Sequence, residues 1–191
     1  MVARWGGGGH LIDRIPPSPG RGRRQPAATA DAGLAPAREI QSRRWATALR
    51  VESRAGVAVC ESDPLKLHNV WSRWQLGHAE RAHFEREAAA ARQRLVLGRL
   101  GFADVVVVAR TDEATARANA RRDGSRSRSG FELHVQLGEP LRRWYATLDE
   151  LSPGHVVWSL PEAGLLALPR RLRVIRSDMD LFDRFVARLL E

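Results

Sequence analysis

The densest group of reactive side chains in this 191-residue chain is Cys60-Glu61-Ser62-Asp63-Pro64-Leu65-Lys66-Leu67-His68. It follows directly on the short apolar run Val57-Ala58-Val59-Cys60. A wholly apolar run of that length fits a strand buried on both faces, as in a parallel sheet. In open α/β sheets ligands bind beyond the carboxyl ends of the strands. Glu61 and Asp63 would stand at that edge, where a carboxylate can take a proton from a hydroxyl or hold Mg²⁺ through water. The alternative is structural: Asp63 caps a helix that Pro64 begins, and Glu61 is solvated.

A second group is the polar stretch Arg121-Arg122-Asp123-Gly124-Ser125-Arg126-Ser127-Arg128. Phosphoryl transfer spreads negative charge over the transferring oxygens, and guanidinium groups stabilise it. A Gly/Ser loop carrying Arg121, Arg122, Arg126 and Arg128 could close over phosphates, or it could be a solvated charged loop. Trp71, Trp74, Phe84, Trp144 and Tyr145 could stack on a nucleobase, although aromatics at helical spacing belong more often to a core. His68, His78, His83 and His134 have no zinc-ligand spacing with a cysteine pair. Cys60 reads as an inert core thiol. No Gly-x-Ser-x-Gly elbow is present.

The elements that would position these groups follow from periodicity and breakers. Residues 1–37, with Gly6 to Gly9 and a Pro/Gly/Arg-rich stretch, carry no helical period, and their composition predicts disorder or poor packing. His10–Ile15 is a weak strand candidate. A helix is expected from about Pro36 to Arg54, with Ile40, Trp45, Leu49 and Val51 as its apolar stripe. A helix after Asp63 would turn Leu65, Val70, Trp71 and Trp74 inward and stop at Gly77. A long helix is expected over His78–Leu97 and a strand over Asp104–Ala109. A helix capped by Thr111 or Asp112 runs to Arg122, and another covers Phe131–Leu151, with a break near Pro140. His155–Leu160 reads as a third buried strand. Leu165–Leu168 and Leu172–Ile175 are short strands or turns, and Asp178 caps a last helix with Leu181, Phe182, Phe185, Val186 and Leu189 on one face. Strands alternating with helices predict an α/β fold, a parallel sheet flanked by helices over 38–191.

Composition narrows the functional classes. Hydrophobic residues make up 43% and charged residues 28%, as in an ordinary globular domain. No run approaches the ~18 apolar residues of a membrane span. One cysteine permits no internal disulfide, and glycines stand where a secretory signal would be apolar, so a cytoplasmic location is expected. The net charge of +9 comes almost entirely from arginine, since Lys66 is the only lysine. Abundant Arg, Ala and Gly accord with GC-rich codons. A non-catalytic protein that binds nucleic acid through the arginines, or an interaction module with no small ligand, is therefore the alternative. A Walker A loop needs Gly-Lys-Ser/Thr. Lys66 lies between Leu65 and Leu67, so the chain contains no Walker A motif.

Taken in order, these pieces resemble P-loop kinases of the deoxynucleoside and nucleotide kinase type. Val57–His68 resembles a strand followed by Cys-Asp-Ser-Asp-Pro-Leu-Lys-Leu-His in a group of ATPase-like bacterial proteins, with Glu61 where that signature has aspartate. Arg121–Leu151 is similar to their arginine-rich lid and long helix, through Phe131-Glu132-Leu133-His134 and Glu139-Pro140-Leu141-Arg142-Arg143-Trp144-Tyr145. The likeness covers about Arg38 to Leu160. It implies a three-layer fold, ATP and Mg²⁺ as cofactors, and phosphoryl transfer to a small-molecule acceptor such as a nucleoside or nucleotide. Glu61 or Asp63 would be the base or the Mg²⁺-side carboxylate, and the four arginines would be the lid cations. It also implies a first strand and phosphate loop before Arg38, lying between the strands at Val57–Cys60 and Asp104–Ala109. Neither is legible. Gly20–Pro26 can be encoded so that a reading two bases on gives Pro-Gly-Lys-Thr-Thr-Thr, so a frameshift or miscalled start upstream of about Arg38 is expected. A missing central strand would leave buried backbone groups unpaired at ~1–3 kcal/mol each and the product prone to aggregate.

Overall fold

The computed structural model describes residues 2–5, 34–108, 113–122, 131–162, 164 and 176–191. In chain order its elements are β1 (Val2–Trp5), α1 (Leu34–Ala55), β2 (Val59–Cys60), α2 (Leu67–Gln75), α3 (Arg81–Val96), β3 (Val105–Val108), α4 (Glu113–Arg122), α5 (Phe131–Gln136), α6 (Gly138–Leu151), β4 (Val156–Val157) and α7 (Met179–Leu190). The strands form one sheet in the order β2-β1-β3-β4. Every pairing in it is parallel. The chain is therefore α/β with a parallel sheet, as the alternation of elements implies.

The central strand corrects the reading of the N-terminus. Val2–Trp5 pairs with β2 through Val2↔Val59 and Ala3↔Cys60. On its other side it pairs along its whole length with β3, from Val2↔Val105 to Trp5↔Val108. The position expected to be vacant is filled, so the segment before Arg38 is not uniformly unstructured. Four residues followed by a run of glycines carry too little pattern to announce a strand; tertiary pairing supplies what propensity does not. Residues 6–33, the candidate strand His10–Ile15 and the stretch Gly20–Pro26 lie outside the described residues.

β2 corrects a second expectation. It lies at the sheet edge, and burial on both faces fails: Ala58 is 3% exposed, but Val57 and Val59 are 39% and 41% exposed. An apolar run cannot by itself say whether its strand has a neighbour on each side. β3 is the fully buried strand. Its residues alternate between faces. Val106 and Val108 join the main core, whereas Val105 and Val107 pack with Val157 on the other face. β4 is shorter than expected, and Ser159 and Leu160 beyond it are exposed.

The main core gathers α2, α3, α6 and α7 around Trp144, which is fully buried. Phe185 meets it edge-on at 4.7 Å, and Trp71 and Phe84 lie at 5.8 and 6.3 Å. The aromatic set is thus core, with Trp74 stacked on Phe84 at 5.9 Å. α1 buries Trp45 of its expected stripe and packs Leu49 partly buried against the core, but leaves Ile40 and Val51 45% exposed; Ala48, outside that stripe, is also buried. The helix expected over Phe131–Leu151 is broken at Leu137, with Pro140 in the first turn of α6, where a missing N–H costs nothing. Asp178 caps α7 as anticipated: its Oδ1 accepts from the Leu181 N–H at 2.9 Å. The segments Leu165–Leu168 and Leu172–Ile175 lie outside the described residues.

Candidate functional site

β1 fixes where the sheet can bind a ligand. The chain passes from β1 to β2 on one side, whereas β3 lies on the other. That reversal is a topological switch point, and ligands in open α/β sheets sit outside the carboxyl ends of the strands there. The turn after β2 stands at that edge, beside the end of β1.

Within this turn the two carboxylates differ. Glu61 is exposed. Asp63 is 5% exposed, and its Oδ1 accepts from the Leu65 N–H at 2.8 Å. The Lys66 N–H donates to the Asp63 carbonyl at 3.2 Å. Asp63 therefore holds a turn rather than the first turn of a helix, and α2 begins three residues after Pro64. Its Oδ2 lies 3.8 Å from His68 Nδ1, and His68 is fully buried. Below lies Tyr145, also fully buried, with its ring 6.0 Å from that of His68. Burial pushes the Tyr145 phenol well up, and the Asp63 charge adds to the shift. Glu61 is left as the carboxylate of the turn that solvent can reach.

Lys66 joins this site, and the sequence reading used it only to exclude Walker A. It is half-buried, and its φ of 56° is left-handed, which is uncommon for a side chain with a Cβ. Burial lowers its ammonium pKa, and the nearby charge of Arg44 on α1 lowers it further, against the opposing pull of Glu61 and Asp63. The signal available beforehand was that a chain with 31 Lys+Arg keeps its single lysine here. Cys60, beside it, is a free thiol whose pKa burial raises, which accords with an inert reading.

Arg121 and Arg122 are exposed at the end of α4. Arg126 and Arg128 lie outside the described residues, as do Thr111 and Asp112. What the structure adds is a clasp between α4 and α5. Arg117 on α4 grips Glu132 on α5 with two bonds of 2.6 and 2.9 Å. This pair holds Glu132 below the usual carboxylate range.

The residues present fit a cation only in part. Among the described residues no group of three His, Cys, Asp or Glu could hold a metal ion. Mg²⁺ is commonly held by one or two carboxylates together with substrate phosphates, a task for which exposed Glu61 is suited and turn-bound Asp63 is not. Among the described residues no helix is long and apolar enough to cross a membrane. No family model, no curated protein and no solved structure matches this chain.

Proposed function

We propose that this chain is a P-loop kinase-like three-layer domain in degenerate form, built around phosphoryl transfer to the hydroxyl of a small acceptor. The observation that carries the reading is the exposed carboxylate of Glu61 at the carboxyl edge of a parallel sheet, one strand from the switch point. Glu61 takes the proton of the acceptor hydroxyl or stands on the Mg²⁺ side. Asp63 shapes the turn that presents it. Arg121, Arg122, Arg126 and Arg128 are the lid cations, and the Arg117–Glu132 clasp ties α4 to α5. ATP, when bound, would supply the phosphoryl group, with Mg²⁺ offsetting its charge.

In chain order Gly6–Gly9 directly follow β1, the place of a phosphate-binding loop, and no Gly-Lys-Ser/Thr ends the run. ATP affinity and turnover are accordingly low. Hydrogen–deuterium exchange with millimolar Mg²⁺-ATP tests the site: protection should concentrate at 61–66 and weaken in Glu61→Gln. Protection confined to other segments, or none, would remove the reading. A calorimetric Kd below about 1 µM would contradict the statement that the missing lysine cripples ATP binding.

Nucleic-acid binding is the weaker reading. Many arginines are already engaged by carboxylates, several on their own helix, as in Arg43–Glu39, Arg81–Glu85, Arg142–Glu139 and Arg184–Asp180. Such pairing lowers the local surplus of charge that a phosphate backbone requires.

A further inference from the structure

At the far end of α2 from the sheet edge, a cavity of about 260 Å³ opens between α2, α3, α6 and α7. Gln75, the last residue of α2, lies about 12 Å along the helix axis from Leu67. Trp71, Trp74, Thr147 and three arginines, Arg81, Arg143 and Arg188, line the cavity. Glu191 is the one carboxylate in the lining, bound to Arg188 at 2.5 Å. Arg81 is paired with Glu85 and Arg188 with Glu191, which leaves Arg143 as the positive charge of the cavity without a carboxylate partner among the described residues.

Two of these guanidiniums are held by indoles. Arg81 lies 5.8 Å from the centre of the Trp74 ring, and Arg143 lies 5.7 Å from that of Trp71. Stacking orients the planar fork and reduces the side-chain freedom lost when an anion is gripped. Trp71 is itself fixed, since its Nε1 donates to the Leu189 carbonyl at 3.1 Å. Arg81 has a structural task, bonding Glu85 at 2.8 Å and reaching the Leu190 carbonyl at the end of α7. Arg143 has no such task. Among the described residues it has no carboxylate within salt-bridge distance, and its side-chain bond is to the Gln75 amide oxygen at 3.5 Å.

We propose that this cavity binds a small phosphate-type anion, either orthophosphate or the phosphate of a compact phosphomonoester, with Arg143 as its principal cation and Arg188 as the second. The volume falls just below the ~300 Å³ at which small-molecule pockets begin. It accommodates a phosphate and a short substituent and excludes a whole nucleotide. Guanidinium groups grip phosphate oxygens in bidentate fashion, which suits a small dianion better than a single carboxylate. The site is separate from the turn at Glu61 and does not depend on the kinase-like reading.

The test is a titration of the full chain with inorganic phosphate and with glycerol phosphate, followed by calorimetry and by the fluorescence of Trp71 and Trp74, with sodium chloride at matched ionic strength as control. A saturable signal with either probe, weakened at least tenfold in Arg143→Ala, partly restored in Arg143→Lys and unchanged in Glu61→Gln, is the expected result. Glu191→Gln, which removes the competing carboxylate, should tighten binding. Arg188→Ala provides a second variant at an exposed position. Signals that chloride reproduces, that survive both Arg143→Ala and Arg188→Ala, or that disappear in Glu61→Gln would each overturn the proposal.

Discussion

Asp63 shows how the sequence can place a side chain and still leave its partners open. It lies at the carboxyl end of a strand, as expected, but it is buried and one oxygen is taken by the Leu65 N–H. Its value is that of an acceptor in a tight turn. Asp63→Ala leaves that buried N–H unpaired and should cost about 1–3 kcal/mol in urea denaturation. Asp63→Asn keeps an oxygen at the same place and should cost clearly less. Equal losses in the two variants would mean that the charge beside His68, not the acceptor, matters. Tyr145 makes the complementary case. Among the described residues its buried hydroxyl has no hydrogen-bond partner. Removing a buried polar group that makes no bond relieves a desolvation cost, so Tyr145→Phe should be neutral or should raise the denaturation midpoint. A loss above ~1 kcal/mol would show that the hydroxyl is engaged after all.

Between elements, two contacts decide how the helices seat on the sheet. Gly101 lies just ahead of β3, and a Cβ there would stand 2.3 Å from Trp45 Cζ2 and 3.1 Å from the Arg176 carbonyl. Trp45 is the buried anchor of α1, so Gly101→Ala must displace it. Overpacking of this kind costs about 1–3 kcal/mol, which a shift in the chemical denaturation midpoint would reveal. Arg176 is the other contact. It bonds both Asp104 oxygens at 3.0 and 2.6 Å and both oxygens of Glu52 on α1. The Arg176 guanidinium holds the Glu52 carboxyl at about 2, below its ordinary 4.5. A lowered folded pKa contributes stability that is complete above pH 4.5 and is lost as pH falls toward 2. Wild-type stability should therefore decline through that window. Arg176→Met should cost about 3 kcal/mol near neutrality and show a flatter acid limb. Parallel acid limbs would count against the network. Neither contact was legible in sequence, because each joins segments far apart in the chain. Helices with a strong face and a cap were legible: Asp178 with Leu181, Phe182 and Phe185 is the clearest. Val57–Cys60 announced a strand but not its edge position, since a run of four apolar residues carries no information about neighbours. The turn at Glu61 was legible from residue types alone. The roles of Lys66, Arg44 and the Trp71–Arg143 pair were not, because each depends on which helix packs beside which.

For the molecule as a whole, the decisive feature is that four residues at the start of the chain complete the sheet. Without β1, β2 and β3 would both lose their partner along the edge that faces the middle of the sheet. With it, the main-chain groups of Ala3 lie between Cys60 and Val106. The reason for expecting an aggregating product therefore disappears, and the full chain should unfold cooperatively. Proline lacks the N–H of a ladder bond and is confined to sheet edges and bulges, so it is excluded from a central strand such as β1. Ala3→Pro tests the point at a single position. In thermal melts followed by circular dichroism, the parent chain should give one sigmoidal transition, and Ala3→Pro should lose it or lower its midpoint by several degrees, on the scale of about 2–4 °C per kcal/mol for chains of this size. If Ala3→Pro melts like the parent, β1 does not hold the sheet together. The switch point at its carboxyl end, and with it the site at Glu61, would then lose their structural basis.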